Sequence, residues 1–323
     1  MKTTLCLALL LAANAAHALS DSEKETLMTA AVEAHERQDY ATALEKWRTL
    51  AEAGDAAAQN NLGVLYAEGQ GVAQDYAQAR TWFEKAAAQG HANAQNSLGF
   101  LYAKGQGVAQ DYAQAHAWWE KAAAQGHAEA QFNLGTLYDK GQGVAQDTAQ
   151  ARVWYEKAAA QGHTDAQYDL GLLYGKGQGV AQDYAQTRAW WEKAAAQGHA
   201  DAQYDLGLLY GEGLGVAQDH TQARAWWEKA AAQGHAKAQF NLGLLYAKGQ
   251  GVAQDYGQAR VWWEKAAAQD DAKAQYALGV LYDNGHGVAQ DYGQARAWWE
   301  KAAAQTDDKE AQQAAQLALQ KIS

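Results

Sequence analysis

Apolar and polar positions along this chain repeat at a constant interval. The motif L-G-x-L-Y, first found at 62–66, recurs every 36 residues, with its glycine at Gly63, Gly99, Gly135, Gly171, Gly207, Gly243 and Gly279. A second motif, G-V-A-Q-D, follows each time in the same register. Self-similarity of fixed period is typical of repeat architectures, in which each unit buries its apolar face against its neighbours. The pattern predicts seven structural units without insertions.

The first half of each unit has helical spacing. In the second unit, Ala94, Leu98 and Leu101 lie on one face and predict a first helix over 92–104. A glycine inside a helix costs about 1 kcal/mol relative to alanine. Because Gly99 lies inside this helix and has a counterpart in every unit, we expect a neighbouring helix to approach closely there.

The second half of each unit predicts another helix. Gly105 is expected to end the first helix in a left-handed cap, and Asp111 is expected to cap the start of the second. Two adjacent aromatic residues lie in this second helix, Trp118 and Trp119 in the second unit. We expect the second of each pair to be in the core. The first, about 100° round the helix, should be partly buried.

The ends of the repeat array predict capping helices. Residues 20–54 repeat the pattern in degenerate form, and the chain after Gln305 is expected to form a closing helix with a polar outer face. The predicted organisation is a signal peptide at 1–18, N-terminal capping helices at 19–57, seven repeats at 58–305 and a C-terminal capping helix at 306–323.

The first eighteen residues have the features of a secretory signal peptide. Lys2 precedes an apolar run at 5–13, and Ala16-His17-Ala18 forms an A-x-A cleavage site. The run is too short to span about 30 Å of hydrocarbon, and Cys6 lies inside it rather than at the cleavage point of a lipoprotein. We therefore expect a periplasmic or secreted protein that is not inserted in the membrane after cleavage.

Composition narrows the possible functions. Cys6 is the only cysteine, so the cleaved chain would have no disulfide, thiolate nucleophile or cysteine metal ligand. The net charge is −11, which gives no electrostatic reason to bind nucleic acid. The 13 tryptophans argue against a disordered chain.

The repeated unit resembles the Sel1-like repeat, a relative of the tetratricopeptide repeat. The resemblance covers 58–305 and rests on the pattern A-x-x-x-L-G-x-L-Y-x-x-G-x-G-V-x-x-D-Y-x-x-A-x-x-W-[WFY]-x-K-A-A-x-x-G. One departure is alanine, at Ala73 and Ala109, where the family often has proline after the loop valine. The resemblance implies an all-α fold, a right-handed α-solenoid of helix-turn-helix repeats, and a role in protein binding.

Candidate catalytic and metal-binding residues recur once per unit and do not converge. Histidines follow the glycine that ends the second helix, at His91, His127, His163, His199 and His235. Neighbours should lie about 10 Å apart, as packed helices do, whereas zinc ligands lie about 2 Å from one ion. The G-x-G loops follow no strand and precede no Walker lysine. We therefore nominate no catalytic, cofactor-binding or metal-binding residue.

The positions that vary between units are the candidate binding surface. In the related tetratricopeptide architecture the first helix lines a concave groove. Two columns spaced i, i+4 would share this face. One changes from Asn60 and Asn96 to aromatic residues, and the other is largely aliphatic. They nominate as partner-binding residues Phe132, Tyr168, Leu172, Tyr204, Leu208, Phe240, Leu244 and Tyr276. These side chains could bind a ligand or only complete the packing between repeats.

The function expected from the resemblance is that of an exported, non-enzymatic scaffold or adaptor that binds a protein or peptide partner without a cofactor. One alternative is peptidoglycan or glycan binding, with partly exposed tryptophans stacking on sugar rings. Another is β-lactam binding or hydrolysis, which is described for some secreted Sel1-like proteins. Those relatives carry a cysteine pair in each repeat, and this chain does not.

Export predicts a specific N-terminus. Cleavage after Ala18 should leave Leu19 as the first residue, because small residues occupy both positions that the peptidase reads. N-terminal sequencing of the protein from the periplasm or the medium measures this. A full-length chain in the cytosol would contradict the expectation of export.

Overall fold

The computed structural model describes residues 19–321, and in this part of the chain the secondary structure is helical throughout. The predicted signal peptide lies outside the described residues. The chain forms two compact units that divide after Gln161. The first contains α1 (Asp21–Glu36), α2 (Tyr40–Glu52), α3 (Ala56–Glu68), α4 (Tyr76–Ala88), α5 (Ala92–Lys104), α6 (Tyr112–Ala124), α7 (Ala128–Lys140) and α8 (Thr148–Ala160).

The second unit contains the remaining described helices. They are α9 (Thr164–Lys176), α10 (Tyr184–Ala196), α11 (Ala200–Glu212), α12 (His220–Ala232), α13 (Ala236–Lys248), α14 (Tyr256–Ala267), α15 (Ala272–Asn284), α16 (Tyr292–Ala304) and α17 (Lys309–Lys321). Within each unit of the fold, consecutive helices pair, and the second helix of a pair packs on the first helix of the next. The predicted fold class, an all-α array of helix-turn-helix repeats with capping helices, is confirmed.

The ends of the helices are fixed by the residues that the sequence indicated. The carboxylate of Asp111 accepts hydrogen bonds from the backbone N–H groups of Ala113 and Gln114 at the start of α6, at 2.9 and 3.0 Å. Gly105 ends α5 with φ 68°, in the left-handed region where a side chain is strained. These caps satisfy backbone groups that a helix end otherwise leaves without a partner.

The glycine inside each first helix leaves room for an aromatic ring of the second helix. A Cβ atom added to Gly99 would overlap the indole of Trp119. The Nε1–H of this indole donates to the backbone carbonyl of Asn96 at 3.1 Å, and the ring is buried. The same indole-to-carbonyl bond recurs from Trp191, Trp227, Trp263 and Trp299. The expected close approach is therefore present, and it comes from one ring seated on each glycine.

The burial of the paired aromatics largely follows the prediction. Most rings at the second position are buried, as Trp119 is, but Trp191 is partly exposed. The rings at the first position are all partly buried, at Trp82, Trp118, Trp154, Trp190, Trp226, Trp262 and Trp298.

A second glycine joins each loop to the preceding repeat. Gly107, in the loop between α5 and α6, has φ 67°, and a Cβ there would lie 2.5 Å from the carbonyl carbon of Tyr76 at the start of α4. Contact between the two backbones therefore requires glycine on both steric and conformational grounds. Within each unit, this contact fixes such loops on the second helix of the preceding repeat.

Within each unit, buried glutamines connect the helices of neighbouring repeats. Gln95 in α5 donates from Nε2 to the carbonyl of Ala87 in α4 at 3.3 Å, and its Oε1 accepts from Gln125 at the end of α6 at 2.8 Å. Buried amides are costly unless they are hydrogen-bonded, so the pairing explains why glutamine is tolerated in this core. At the C-terminal end the Oε1 atom of Gln275 is buried and has no partner among the described residues.

The fit between glycine and indole predicts an unusual effect of alanine. On helix propensity alone, Gly207→Ala would stabilise the protein by about 1 kcal/mol. Because the new Cβ would overlap the indole of Trp227, we expect instead a loss of about 1–3 kcal/mol, as for an overpacked core. Urea unfolding followed by far-UV circular dichroism measures the change.

Gly257 in α14 provides the matched control. The corresponding residue is alanine at Ala77 and Ala113, and a Cβ on Gly257 meets only the Asp255 carboxylate, at 3.2 Å. Gly257→Ala should therefore be neutral or stabilising by up to about 1 kcal/mol. If both variants shift the midpoint in the same direction, the indole contact does not explain the glycine in the first helix.

Candidate functional site

The first helices present all eight nominated residues, and each of these side chains is partly buried. Phe132 belongs to α7 of the first unit, where its ring lies 5.7 Å from that of Tyr155. The other seven belong to the second unit. Several of their rings also lie beside aromatics of the second helices, as Tyr168 does beside Trp191 and Tyr276 beside Trp299. These residues therefore contribute to packing while keeping part of their surface exposed.

Three nominated residues meet in one apolar cavity of the second unit. The cavity has a volume of about 370 Å³, and we call it the apolar niche. Its lining includes Phe240, Leu244, Trp263, Tyr276, Val280 and Ala314. The first two lie on α13, Tyr276 and Val280 lie on α15, and the capping helix α17 provides Ala314. Lys273 and Glu310 are the charged residues of its lining.

A second, polar cavity lies between α9, α11 and the start of α13. It has a volume of about 480 Å³ and is lined by Tyr168, Asp201, Tyr204, Asp205, His235, Ala236 and Lys237. We call it the acidic cleft. It brings together Tyr168 and Tyr204, the nominated residues of α9 and α11. Leu172 and Leu208 line neither the cleft nor the niche, and Leu208 packs instead on the core around Trp227.

Tyr168 and Asp205 connect two repeats across the acidic cleft. The hydroxyl of Tyr168 donates to Oδ2 of Asp205 at 2.8 Å. Burial raises the pKa of the Asp205 carboxyl. The hydrogen bond from Tyr168 acts in the opposite direction, but the net effect is a raised pKa. Burial and the charge of Asp205 raise the pKa of Tyr168, so the phenol remains protonated and a donor.

The equivalent position in the first unit has a different lining. A cavity of about 330 Å³ there has a mixed lining, in which Asn96, Ser97, Asn133, Glu68 and Glu129 lie beside apolar side chains that include Val64 and the exposed ring of Phe100. Asn96 corresponds in the repeat to Tyr276 of the apolar niche. At this position of the repeat the lining is therefore more polar in the first unit than in the apolar niche, because one column of side chains changes.

The outer tryptophans are covered by lysines. In each repeat the Nζ atom of the lysine three residues later lies over the ring of the first aromatic, as Lys229 does over Trp226 at 3.9 Å from the ring centre. The geometry is that of a cation–π contact. A sugar that stacked on this face would have to displace the lysine.

The periodic histidines cap the first helices. The Nδ1 atom of His127 accepts a hydrogen bond from the backbone N–H of Ala130 at 3.3 Å, and Nε2 lies 3.1 Å from Oδ1 of Asn93. Asp55 and Asp271 occupy the same capping position in the first and last repeats. Within residues 19–321, no three His, Cys, Asp or Glu side chains converge in a geometry that could hold a metal ion.

Sequence reasoning missed two features of these sites. The C-terminal helix was expected to be a cap, but α17 also forms a wall of the apolar niche. Asp205 was not nominated from the sequence, although it accepts a hydrogen bond from the preceding repeat. The 37-residue separation of Tyr168 and Asp205, one more than the repeat length, was the available signal.

Comparison with known proteins agrees with this architecture. Residues 56–91, 92–127, 128–163, 164–199, 200–235, 236–271 and 272–307 each match the family model described as Sel1 repeat. Pairs of short helices that repeat every 36 residues and pack on one another define a helical-repeat protein. The chain belongs to the Sel1 repeat family.

Two solved structures resemble this chain over most of its length. One is a protective antigen present in uropathogenic Escherichia coli strains, described as displaying an SLR fold, with 38% identity over 86% of this chain and a TM-score of 0.82. The chain spans 59% of that antigen. The other is a Sel1 repeat protein from Oxalobacter formigenes, with 37% identity and a TM-score of 0.69. The match covers 87% of this chain and 80% of that protein.

The search of curated proteins found no match. Sel1 and related repeats are generally protein-interaction modules, and Sel1-repeat proteins are mostly non-enzymatic scaffolds. Among the described residues, no helix combines the length and the apolar character needed to cross a bilayer.

The histidine caps predict a loss of stability in weak acid. Burial lowers the pKa of His91 and His127 in the folded state, whereas an unfolded histidine titrates near pH 6.5. Between the folded and the unfolded pKa the unfolded chain binds more protons than the folded chain. The contribution of these histidines to the free energy of unfolding should therefore be largest above about pH 6.5 and should be lost as the pH falls through the folded pKa. Urea midpoints measured at about pH 7.5 and pH 5.5 test this.

The variant His91→Asp with His127→Asp isolates the contribution of these two caps. Aspartate caps the same position in two natural repeats, and the ordinary pKa of an aspartate side chain, about 3.9, lies below this interval. We expect the variant to lose less stability than the parent between the two pH values. The remaining histidines and carboxylates are common to both proteins, so equal losses would show that the caps do not cause the effect.

Proposed function

We propose that this protein is an exported scaffold that binds a protein or peptide partner on the first-helix faces of its second unit. The observation that carries the proposal is the apolar niche, where Phe240, Tyr276 and Val280 form an open cavity closed on one side by α17. Export rests on the sequence of residues 1–18. The role of the niche rests on its shape and lining.

The niche has the properties of an anchor site for one or two apolar side chains. Binding energy at protein interfaces is concentrated in a few apolar or aromatic anchors that fill desolvated pockets. Burying a Leu or Phe side chain contributes about 1.5–3 kcal/mol. The walls are already held in place, because Phe240 and Tyr276 pack beside Trp263 and Trp299. Little side-chain order would therefore be lost on binding.

Binding without catalysis fits the use that the fold makes of its polar side chains. The periodic histidines and aspartates cap helices, and buried glutamines such as Gln95 accept hydrogen bonds from glutamines at the ends of the second helices. The glutamates of the second helices form ion pairs with the arginine one turn earlier, as Glu228 does with Arg224. The candidate chemical groups thus have structural partners in repeat after repeat, which supports a scaffold rather than an enzyme.

Filling the niche should weaken the binding of an apolar anchor. Ala314→Phe places a ring in the cavity from the partly exposed surface of α17, where the fold should tolerate it. A phage-displayed library of random dodecapeptides, selected on the parent protein, provides the probe. We expect selected peptides, measured by isothermal titration, to bind the variant at least about tenfold more weakly, a loss of about 1.4 kcal/mol.

Gln313→Phe is the matched control, because it adds the same ring to an exposed position of the same helix. It should leave the affinity nearly unchanged, and circular dichroism should show both variants folded. Equal affinity for the parent and Ala314→Phe would exclude the niche as the anchor site. Failure to select any peptide on the parent would contradict peptide binding itself.

A further inference from the structure

The acidic cleft and the apolar niche belong to one row of first helices within the second unit. The lining of the cleft includes Asp205 in α11, and that of the niche includes Tyr276 in α15, two repeats further along the chain. Helix α13 contributes to both, with Lys237 in the lining of the cleft and Phe240 in that of the niche. An extended segment that occupied the row would therefore meet two chemically different positions.

The cleft carries an excess of negative charge. Asp201 and Asp205 line it, and Asp169 lies close enough to raise the pKa of Tyr168. Lys237 is the cation of the lining, and His235 lies 3.1 Å from Asp201. Within the lining, the two carboxylates of Asp201 and Asp205 thus face one lysine and one histidine. The sign of this field favours a cationic group on the partner.

Asp205 is the carboxylate that has most to gain from a cation. It is partly buried, and the described residues provide it with the hydroxyl of Tyr168 but with no salt bridge. Burial raises its pKa, although the hydrogen bond from Tyr168 and the charges of His235 and Lys237 act in the opposite direction. An incoming ammonium or guanidinium group would pair with the free carboxylate lone pairs and form a charge-assisted hydrogen bond.

The two tyrosines give the cleft apolar walls. The ring of Tyr168 stacks on His199 with centres 4.5 Å apart, and that of Tyr204 stacks on His235 at 4.6 Å. These contacts hold both rings in fixed orientations. Lysine and arginine pack the apolar stem along such surfaces while the charged end reaches a carboxylate. The lining thus suits a long basic side chain better than a small inorganic cation.

The spacing of the two sites sets the length of the segment between them. Packed helices lie about 10 Å apart, so two repeats correspond to about 20 Å. An extended chain covers about 3.3–3.6 Å per residue, and about six residues therefore span this distance.

We propose that the partner is an extended peptide segment with a lysine or arginine in the acidic cleft and an apolar side chain, about six residues away, in the apolar niche. This inference rests on the proposed function, because it specifies the chemistry of the segment bound on the same helices. The negative overall charge of the protein, −11, is consistent with a basic partner.

The test uses dodecapeptides selected on the parent protein, together with a charge-neutral variant. Asp201→Asn with Asp205→Asn removes two negative charges but keeps an oxygen that can accept from the Tyr168 hydroxyl. Glu228→Gln, on α12 outside both cavities, is the matched control for loss of negative charge. Circular dichroism and urea midpoints establish that the variants are folded.

We expect selected sequences to carry Lys or Arg about six residues from Leu, Ile, Phe or Trp. Replacing the basic residue by Gln should weaken binding to the parent by about tenfold, but should change binding to the charge-neutral variant by less than about twofold. Affinity for the parent should also fall between about 0.05 and 0.3 M salt, because exposed charge pairs are screened. The Glu228→Gln variant should behave as the parent does.

The possible failures are distinguishable. If peptides bind through an apolar residue and show no preference for a basic one, this inference is wrong while the proposed function stands. The same conclusion follows if the basic residue contributes equally to binding of the parent and of the charge-neutral variant. If no peptide is selected, both the inference and the proposed peptide binding are wrong.

Discussion

The contact between an indole and a helix-interior glycine is the constraint on which the rest of the fold depends. At Gly99 the absence of a side chain allows Trp119 to lie against the first helix and to donate to its backbone. This contact fixes how closely and in which rotation the two helices of a repeat pair. The variable side chains on the surface of the first helix then face a defined direction. They can change from repeat to repeat without affecting the contact between glycine and indole.

The helices were predictable from the sequence because each depends on local signals that recur. Residues 92–104 were expected to form a helix, and α5 has these bounds, since Gly105 can adopt the left-handed conformation that ends it. The histidine caps were harder to predict. Histidine is not among the preferred N-cap residues, so the sequence did not indicate a capping role for it. The aspartates at the same position in two other repeats were the clue.

The candidate site was predictable only in part, because cavities depend on which side chains are missing as well as on which are present. The sequence nominated Phe240 and Tyr276, but it did not show that α17 encloses the space beside them with an alanine. The acidic cleft required the contact between Tyr168 and Asp205, which joins different repeats. Periodicity predicts the position of a side chain within its own helix better than it predicts what lies across the gap.

The contacts between glycine and indole are nearly identical from repeat to repeat, and this has a consequence for how the chain folds. The space beside Gly207 would accommodate the indole of Trp263 as readily as that of Trp227, since the residues around the two tryptophans are almost the same. Chemical complementarity therefore does not select the right partner. The correct ring is only 20 residues away along the chain, and short loops close faster and with less entropy loss than long ones. Proximity during synthesis, rather than specificity of fit, would keep such a chain in register.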